Sequence, residues 1–591
     1  MSAYSFHDSL LLPTNRSEMS ARRWDEVDVA LVTADAYIDH PSFGISLIAR
    51  WLEAHGFRVG IIAQPRHDRP DDFTVLGRPR LFFGVSSGNL DSIVANYTGN
   101  CRIRERDSYS PDGDPYFPGM ARGRSGRRRP DRAVIRYVNL IRQAFSDAVV
   151  IIGGLEASLR RFIHYDYQQE RLRGSVLTDS KADLLVYGMG ERAVLEIARR
   201  LDEGRDLAGI EGTCQRLTDR QVSSLQGFDG GTAKDELLVL PSWHEIVREP
   251  ARFLDAELMV DKEARAAISR MVIQQQKSGL WVLQNKRAEA LSSQELDRLY
   301  ELPFTRMTHP SFGDVPAYRM IRHSITIVRG CSGNCSFCAI TRHQGPRVVS
   351  RSLDSVMSEL DAVARMPDFK GVVTDLGGPT ANLYGTGCSR LSTCSRRDCL
   401  FPRPCPHLEV SGEPFRRLLD EAGRRPGVSR VFVSSGLRMD LLLRTPRLLS
   451  KIIRHHTPGA LKIAPEHTED EVLRLMHKPG GKLLDAFVKE ARRTKKKGNR
   501  PAEITAYLMS SHPGCTLAHM KAMARKLKAL RLPVRQFQDF TPTAGTLSTA
   551  MFVSGLDRDS KRPIYVAKRR SERMAQRRVL EGLMKKEGRK R

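Results

Sequence analysis

Blocks of apolar residues separated by polar turns predict the fold of the first third of the chain. Short apolar runs that end in polar or glycine-rich turns predict five buried strands, at residues 28–35, 57–62, 81–86, 148–152 and 183–187. Residues 45–55 are apolar at helical spacing, and Gly56 follows them as a C-cap. This alternation of strand and helix predicts an α/β domain with a parallel, Rossmann-like sheet, in which ligands bind beyond the carboxyl ends of the strands.

A second series of strand and helix patterns fills the last half of the chain. The predicted strands lie at residues 324–329, 371–376, 428–433, 460–464, 502–508 and 534–540, with helical periodicity between them, for example at 356–364, 485–497 and 518–530. Six such units are fewer than the eight of a closed barrel. We therefore expect a partial (β/α)6 barrel, open on one side, with its functional residues on the loops after the strands.

These patterns divide the chain into four regions. We expect a Rossmann-like N-terminal domain at 1–200, a connecting region at 201–320, the barrel at 321–555 and a basic, partly disordered tail at 556–591. Within the connecting region, residues 264–275 predict a helix and 280–284 a short strand. Residues 570–586 of the tail predict a basic helix, with disorder at the very end.

Two insertions interrupt the regular pattern. The first, at about 95–133, contains an arginine-rich run at 122–132 together with many glycine and proline residues. That composition predicts a loop or lid; we expect it to be solvated, and a phosphate-contacting arm is the alternative. The second insertion, at about 386–408, is rich in cysteine.

Composition limits the possible environments of the protein. No apolar run reaches the roughly 18 residues of a membrane span, so we expect no membrane association. The amino-terminal residues lack a signal-peptide pattern, and ten cysteines then favour a cytoplasmic protein with metal-binding thiols. The net charge of +27 indicates either a polyanionic partner such as RNA or simply solvated arginines.

The most specific chemical signal is Cys331-Ser-Gly-Asn-Cys335-Ser-Phe-Cys338, directly after the first barrel strand. Thiolates suit iron–sulfur clusters or zinc, both of which commonly take four ligands, whereas this loop supplies three. Three cysteines on a cube of four irons leave one iron open to another ligand. A zinc loop or three unrelated thiols is the alternative.

This CxxxCxxC pattern resembles the signature of the radical S-adenosylmethionine (SAM) superfamily. The resemblance implies a [4Fe–4S] cluster whose open iron binds SAM, and reductive cleavage of SAM to methionine and a 5′-deoxyadenosyl radical. It also implies that Phe337 packs against the adenine and that the turn Gly377-Gly378-Pro379 receives the SAM amino group. Glu466 resembles the carboxylate that meets the ribose or the amino group.

Two further SAM contacts follow from residue chemistry. Ser434 and Ser435 end the third strand, where their hydroxyls suit the ribose. Arg438 follows them, and its planar guanidinium suits the methionine carboxylate.

A second set of thiols lies in the cysteine-rich insertion, at Cys388, Cys394, Cys399 and Cys405. Four thiols within so short a segment predict a small metal site. The gaps of five, four and five residues exceed usual zinc-finger spacings and do not fit a ferredoxin pattern. We expect structural zinc or a second Fe–S cluster, in which His407 can replace a cysteine; free thiols are the alternative.

The N-terminal half resembles the cobalamin-binding-like domains that precede many radical SAM barrels. The features that carry this resemblance are Pro41-x-x-Gly44, Gly153-Gly154 and Gly188-x-Gly190-Glu191. The Asp-x-His-x-x-Gly pattern that supplies a cobalt ligand is absent, because Asp39 and His40 are adjacent. We therefore expect a Rossmann-like lid without cobalamin; a cobalamin bound without a histidine ligand is the alternative.

Over nearly its full length the chain resembles the YgiQ-type radical SAM family, from Ala36–Gly44 through Gly377–Asn382 to the second cysteine set. The resemblance implies a radical SAM enzyme that receives electrons from a flavodoxin- or ferredoxin-like donor, and it specifies no substrate. One alternative is an RNA-modifying methyl- or methylthiotransferase of the same superfamily. Another is a non-catalytic Fe–S or zinc protein that binds RNA.

Overall fold

The computed structural model describes residues 11–588, apart from 226–227, 230–231, 234–235, 278, 391–393, 395–397 and 495–501. These residues form two compact units. The N-terminal unit comprises the described residues up to 264 together with 268–290 and 298–322. The C-terminal unit comprises 265–267, 291–297 and the described residues from 323 onward.

In the described part of the N-terminal unit, nine strands form one sheet in the order β11-β12-β13-β8-β7-β4-β3-β1-β2. The strands of this unit are β1 (Val29–Thr33), β2 (Val59–Ala63), β3 (Phe82–Ser86), β4 (Val150–Ile152), β5 (His164–Asp166), β6 (Arg171–Arg173), β7 (Leu184–Val186), β8 (Thr213–Thr218), β9 (Phe228–Asp229), β10 (Thr232–Ala233), β11 (Leu237–Val239), β12 (Met271–Gln275) and β13 (Leu280–Gln284).

The five strands predicted from the sequence are β1, β2, β3, β4 and β7, and all their pairings with one another are parallel. Val29 is in register with Val59 on one side and Phe82 on the other. The chain therefore leaves β1 toward one edge of the sheet through β2 and returns to its other side through β3. Their shared carboxyl edge is the topological switch point at which doubly wound sheets bind ligands.

Helices cover both faces of this sheet. The helices up to residue 322 are α1 (Arg16–Ala21), α2 (Gly44–Glu53), α3 (Ser92–Asn96), α4 (Ala133–Ala144), α5 (Gly154–Leu159), α6 (Val176–Ser180), α7 (Glu191–Asp202), α8 (Asp219–Ser223), α9 (Trp243–Arg248), α10 (Ala251–Ala264), α11 (Ser293–Tyr300), which is divided between the two units, and α12 (Pro316–Ile321). Alternate strand residues enter two separate cores: Val32 packs with α4 on one face, and Leu31 packs with α2 and α7 on the other.

The region predicted to connect the domains also contributes to the sheet. β8, β11, β12 and β13 all lie between residues 213 and 284, and they extend the parallel strands with a mostly antiparallel edge. The predicted helix at 264–275 is wrong, because the helix ends at Ala264 and residues 271–275 form β12. Val272 and Ile273 are both buried and enter different hydrophobic clusters, as successive residues of a strand do.

The arginine-rich insertion is only partly solvated. Arg122 and Arg124 are exposed, as expected, whereas Arg127 and Arg129 are buried. The expectation of a solvated loop is therefore wrong for these two arginines, which belong to the interior of the N-terminal unit.

The C-terminal unit contains the six predicted barrel strands, some of them divided by irregularities. Its strands are β14 (Ser324–Thr326), β15 (Val328–Arg329), β16 (Val349–Ser350), β17 (Val372–Val373), β18 (Asp375–Gly377), β19 (Gly387–Cys388), β20 (Leu408–Glu409), β21 (Arg430–Val431), β22 (Leu461–Glu466), β23 (Ile504–Ser510) and β24 (Gln536–Asp539). The parallel pairs are β14 with β18, β17 with β21, β22 with β23 and β23 with β24.

Helices alternate with these strands, as the sequence predicts. They are α13 (Ile340–His343), α14 (Leu353–Ala364), α15 (Glu413–Gly423), α16 (Met439–Arg444), α17 (Pro446–His455), α18 (Asp470–Leu475), α19 (Lys482–Arg493), α20 (Leu517–Ala529), α21 (Leu547–Ser554) and α22 (Arg570–Gly588). Residues 495–497 of the helix predicted at 485–497 lie outside the described residues.

The basic helix predicted at 570–586 is confirmed as α22, and it is packed rather than free. Gln576 accepts a hydrogen bond from the Ser511 amide (2.9 Å) and donates one to the Cys515 carbonyl (2.6 Å). Arg577 forms an ion pair of 2.7 Å with Asp539. The predicted disorder at 589–591 falls outside the described residues. Among the described helices, none has the length and apolar character needed to cross a membrane.

Candidate active site

The loop that carries Cys331, Cys335 and Cys338 leaves the barrel directly after β15. An antiparallel pairing of β15 with β16 closes the loop at its base. Gly330 opens the loop with φ of +77°, and a Cβ there would collide with the carbonyl oxygen of Arg347. Glycine is therefore required for both the backbone angle and the space.

The three thiols are half-buried and close enough to influence one another. The Gly333 amide donates to Sγ of Cys331 over 3.4 Å, and Oγ1 of Thr380 lies 3.4 Å from the same sulfur. Burial, followed by the charges of Cys335 and Cys331, raises the pKa of Cys338 to about 12. A metal centre such as an iron–sulfur cluster would supply the positive charge that the deprotonated forms of these thiols need.

Ser336, in the middle of this loop, is held by three other segments. Its amide donates to the Met476 carbonyl (3.0 Å) and its hydroxyl to the Leu475 carbonyl (2.7 Å). The Ser548 amide donates to the Ser336 carbonyl (2.8 Å), and Arg558 donates to its hydroxyl (2.9 Å). The neighbouring Phe337 meets His512 edge to face, with ring centroids 6.3 Å apart. The loop is thus positioned by contacts from α18 to the segment before α22.

Gly377 and Gly378 allow a close approach between barrel strands. A Cβ on Gly378 would lie 2.6 Å from the carbonyl oxygen of Val328, and one on Gly377 would collide with Asp375 and Ser435. Pro379 follows directly, and the Thr380 hydroxyl reaches Cys331. The glycine turn therefore lies against the strand that delivers the cluster loop.

Ser434 is exposed and Ser435 half-buried, and both are hydrogen-bonded to protein groups. Asp375 accepts hydrogen bonds from both of their amides (2.7 and 3.1 Å) and from the Ser435 hydroxyl. The Ser434 hydroxyl donates to the Thr374 carbonyl over 2.8 Å. Burial raises the pKa of Asp375 despite these hydrogen bonds. Because each hydroxyl already donates a hydrogen bond, it can meet a ribose hydroxyl as an acceptor.

Arg438 lies beside the cysteine loop with its guanidinium already paired. A Cβ on Gly333 would lie 3.1 Å from its Nη1 atom and 3.4 Å from Sγ of Cys331. Its Nε and Nη2 atoms both donate to Asp440. Although burial opposes the charge, Asp440 and then the thiols Cys335 and Cys331 raise the pKa of Arg438. The expected pairing with a ligand carboxylate can therefore use the two N–H groups of Nη1 and the second N–H of Nη2.

Glu466 combines burial, backbone strain and an unsatisfied oxygen. It ends β22 with φ of +65° and is 5 % exposed. Within the described residues its Oε2 atom has no hydrogen-bond partner, while Oε1 lies 3.9 Å from Nζ of Lys478. Burial raises its pKa against the charge of Lys478. At the end of the neighbouring β23, Ser511 also has a positive φ (64°) and a hydroxyl without a partner among the described residues. Strain and open acceptors of this kind mark ligand sites.

The four cysteines of the second set lie in a short hairpin: Cys388 is in its first strand, and the other three lie between its two strands. β19 and β20 pair antiparallel, with Cys388 opposite Leu408, and the Cys405 amide donates to the Cys399 carbonyl over 2.7 Å. Burial, then the charges of Cys394 and Cys405, raise the pKa of Cys399 to about 11. All ten cysteines are described and none forms a disulfide.

Neither thiol set converges on a single point. Within the described ranges, no group of three or more His, Cys, Asp or Glu side chains is arranged to hold one metal ion. In a [4Fe–4S] cluster each cysteine binds a different iron, so its thiols do not have to meet at one ion.

The switch point of the N-terminal sheet is filled by side chains of the insertion. Arg129, 1 % exposed, donates to the Ser87 carbonyl beyond β3 and to Asp35 beyond β1 (2.7 Å). It also pairs with Asp107 of the insertion over 3.2 Å. The Asn89 amide donates to the second oxygen of Asp35 over 2.7 Å. Gly88 is packed so closely against Asp35 that a Cβ would collide with it.

The structure also identifies residues that sequence reasoning missed. Asp375 accepts hydrogen bonds from Ser434 and Ser435, and Asp440 accepts them from Arg438. Arg129 fills the switch point of the N-terminal sheet. For Asp375 a signal existed, because it is a carboxylate inside an otherwise apolar strand, at Val372-Val-Thr-Asp-Leu376. For Arg129 the partners are brought together only by the fold. Asp440 lies two residues after Arg438, and sequence reasoning overlooked this local pair.

The sequences of both units match known protein families. Residues 11–324 match the Radical SAM N-terminal family, and residues 325–527 match the Radical SAM superfamily. The chain is 44% identical to a UPF0313 protein of Geobacter sulfurreducens, over 96% of this chain and 92% of that protein. It is also 44% identical to a UPF0313 protein of Thermotoga neapolitana, over 98% of this chain and 100% of that protein. The predicted α/β fold class, a Rossmann-like N-terminal domain followed by a radical SAM domain, is confirmed.

Solved structures with a similar arrangement were also found. One is the radical S-adenosylmethionine methyltransferase TsrM from Kitasatospora setae, with a TM-score of 0.45 and 15% identity over 88% of this chain and 74% of that one. Another is the cobalamin-dependent S-adenosylmethionine radical enzyme OxsB, with a TM-score of 0.47 and 10% identity over 97% of this chain and 63% of that one.

Proposed function

Because the chain belongs to the UPF0313 proteins of the radical SAM superfamily, and is therefore a radical SAM enzyme, we propose that Cys331, Cys335 and Cys338 hold its [4Fe–4S] cluster. The observation that carries this proposal is the cysteine loop itself, in which an amide donates to the Cys331 sulfur and Ser336 is held from three directions. Amide hydrogen bonds to sulfur are a normal part of Fe–S sites. When bound, the cluster supplies the electron that cleaves SAM reductively to a 5′-deoxyadenosyl radical.

SAM is proposed to bind at the carboxyl ends of the barrel strands. Phe337 packs against its adenine, and the backbone at Gly377, Gly378 and Pro379 receives its amino group. Glu466 accepts from the ribose or the amino group, which its unsatisfied Oε2 supports. Ser434, Ser435 and Arg438 complete the site through the ribose hydroxyls and the carboxylate.

Release of 5′-deoxyadenosine tests this proposal directly. Protein reconstituted anaerobically with iron and sulfide, then given dithionite and SAM, should release it. A variant with Cys331, Cys335 and Cys338 all changed to alanine should release none while keeping a native circular dichroism spectrum. Cys101→Ser, a single thiol change far from this loop in sequence, is the matched control and should retain activity. A triple variant that still cleaves SAM would refute the assignment.

RNA is the substrate class that the charge of the chain supports best. The net charge of +27 favours a polyanion, and RNA modification by methyl or methylthio transfer would use the same barrel. Filter binding over a range of salt concentrations tests this idea, since phosphate contacts give a linear fall of log affinity with log salt. Tight RNA binding by a protein that does not cleave SAM would instead indicate a non-catalytic RNA-binding protein.

The N-terminal domain is proposed to work without cobalamin at its switch point. Arg129, Asp35 and Asp107 fill the carboxyl edge of β1 and β3, and adjacent Asp39 and His40 do not make the cobalt-ligand pattern. No step of the reaction is therefore assigned to a corrin. Hydroxocobalamin added to the reconstituted protein should be lost on desalting, as read from the visible spectrum; retention of one corrin per chain would contradict this.

We also propose a second metal site, an electron donor and a cellular location. Cys388, Cys394, Cys399 and Cys405 form a second metal site, for zinc or another Fe–S cluster. A low-potential donor of the flavodoxin or ferredoxin class reduces the enzyme, as radical SAM chemistry requires. A cytoplasmic location is supported by ten cysteines without a disulfide.

A further inference from the structure

The second thiol set lies against the first one. Cys331 of the cluster loop and Cys399 of the insertion pack in the same hydrophobic cluster, around Leu383, Leu400 and Leu441. Members of one cluster are linked by van der Waals contacts, so the two cysteines pack against a common apolar group.

Arg265 connects the two loops by charge and hydrogen bonds. Its Nη2 atom donates to the Asn334 side chain (2.8 Å) and the Gly333 carbonyl (3.3 Å), both between Cys331 and Cys335. The same guanidinium lies within electrostatic range of Cys399. A single arginine that is hydrogen-bonded to the cluster loop and lies near Cys399 therefore brings the two loops close together.

The insertion is held to the barrel on its other side as well. Phe401, next to Cys399 and Leu400, stacks on His477 with ring centroids 4.3 Å apart. His477 follows directly after Met476, whose carbonyl accepts the Ser336 amide of the cluster loop. The insertion is therefore linked to the cluster loop through His477 and Met476 as well as through Arg265.

From this arrangement we propose that Cys388, Cys394, Cys399 and Cys405 hold a second iron–sulfur cluster, next to the radical cluster and spin-coupled to it. Iron fits better than zinc because, within the described residues, these thiols do not converge on one point, as the ligands of a single tetrahedral zinc ion must. In a cluster each thiolate also binds its own iron, so the donors can stand further apart. This inference relies on the proposed function only for the presence of the first cluster.

Iron and sulfide analysis of full-length, anaerobically reconstituted protein gives the first test. The variant with Cys331, Cys335 and Cys338 changed to alanine should keep about four irons per chain, half of the wild-type content. A variant with Cys399 and Cys405 changed to serine should also keep about half. The matched control Cys101→Ser should keep all the iron. If the first variant contains iron only at the background level, or contains zinc instead of iron, the proposal is refuted even when the wild-type protein cleaves SAM.

Electron paramagnetic resonance of dithionite-reduced protein tests proximity. The wild-type spectrum should be broader and relax faster than the sum of the spectra of the two single-cluster variants. Arg265→Gln keeps hydrogen-bonding capacity and removes the charge, so it should keep the iron and lower the midpoint potential of the second cluster. A wild-type spectrum equal to the sum of the two variants would place the clusters apart and refute the coupling. Failure of SAM cleavage with both clusters present would count against the proposed function alone.

Discussion

Arg438 donates two hydrogen bonds to Asp440, from Nε over 3.1 Å and from Nη2 over 2.7 Å, at the edge of the cluster loop. Both side chains are largely buried, so each depends on the other for charge compensation. The pair holds the guanidinium beside Gly333, with its Nη1 atom directed toward the cluster loop.

Removing either member of this pair should destabilise the folded protein. Arg438→Met or Asp440→Leu leaves one buried charge without its partner, and we expect each to lower the free energy of unfolding by about 3 kcal/mol. The double variant should be less destabilised than the sum of the two single variants. Urea denaturation of all four proteins measures this coupling. Additive losses would mean that the two charges act independently.

The stability contributed by Glu466 should depend on pH. Burial raises its pKa in the folded protein above its ordinary value of 4.5, so the folded state binds the proton more tightly than the unfolded state. Stability attributable to this group is complete below pH 4.5 and falls as the pH rises toward the folded-state pKa.

Glu466→Gln removes this titration. The variant should match wild-type stability below about pH 4.5 and exceed it increasingly at higher pH. It should bind SAM less tightly, because the amide offers a weaker acceptor than a carboxylate. Denaturation at several pH values and SAM titration measure the two effects. A constant stability difference across the pH range would contradict the assignment.

Arg129 should stabilise the N-terminal unit far more than its neighbours in the insertion. Arg129→Met leaves Asp35 and Asp107 buried without their cation, and we expect a loss of about 3–5 kcal/mol. Arg124→Met is the matched control, since Arg124 is exposed and should change stability by less than about 0.5 kcal/mol. Equal effects of the two substitutions in urea denaturation would mean that Arg129 does not close the switch point.

Gly330 should be essential for the cluster loop. Alanine at this position must adopt a positive φ and displace the Arg347 carbonyl, so Gly330→Ala should lower stability by more than about 1 kcal/mol and reduce iron content. Gly423→Ala is the control, because a Cβ has open space at the end of α15. It should retain full iron content. Normal iron in Gly330→Ala would show that the loop tolerates another backbone path.

Sequence patterns located the parallel strands of both units, the cysteine loop and the basic helix, because local periodicity and glycine placement encode these features. They did not identify β12, since two adjacent buried residues, Val272 and Ile273, fit a helix as well as a strand. The ion pairs of Arg129 and Arg438 also escaped prediction. For Arg129 the partners are 22 and 94 residues away, and only the assembled fold brings such groups together.

The contacts of Ser336 also set an order for assembly of the protein. The hydrogen bond from Arg558 joins groups 222 residues apart in the chain. The hydrogen bonds that Ser336 donates to Leu475 and Met476, and the one it accepts from Ser548, also join distant parts of the chain. Contacts that span so much sequence form late in folding, because closing long loops costs entropy before it is compensated. During synthesis the cysteines thus leave the ribosome well before the segments that fix their loop. Cluster insertion therefore belongs to the end of folding, when the C-terminal segment has been completed.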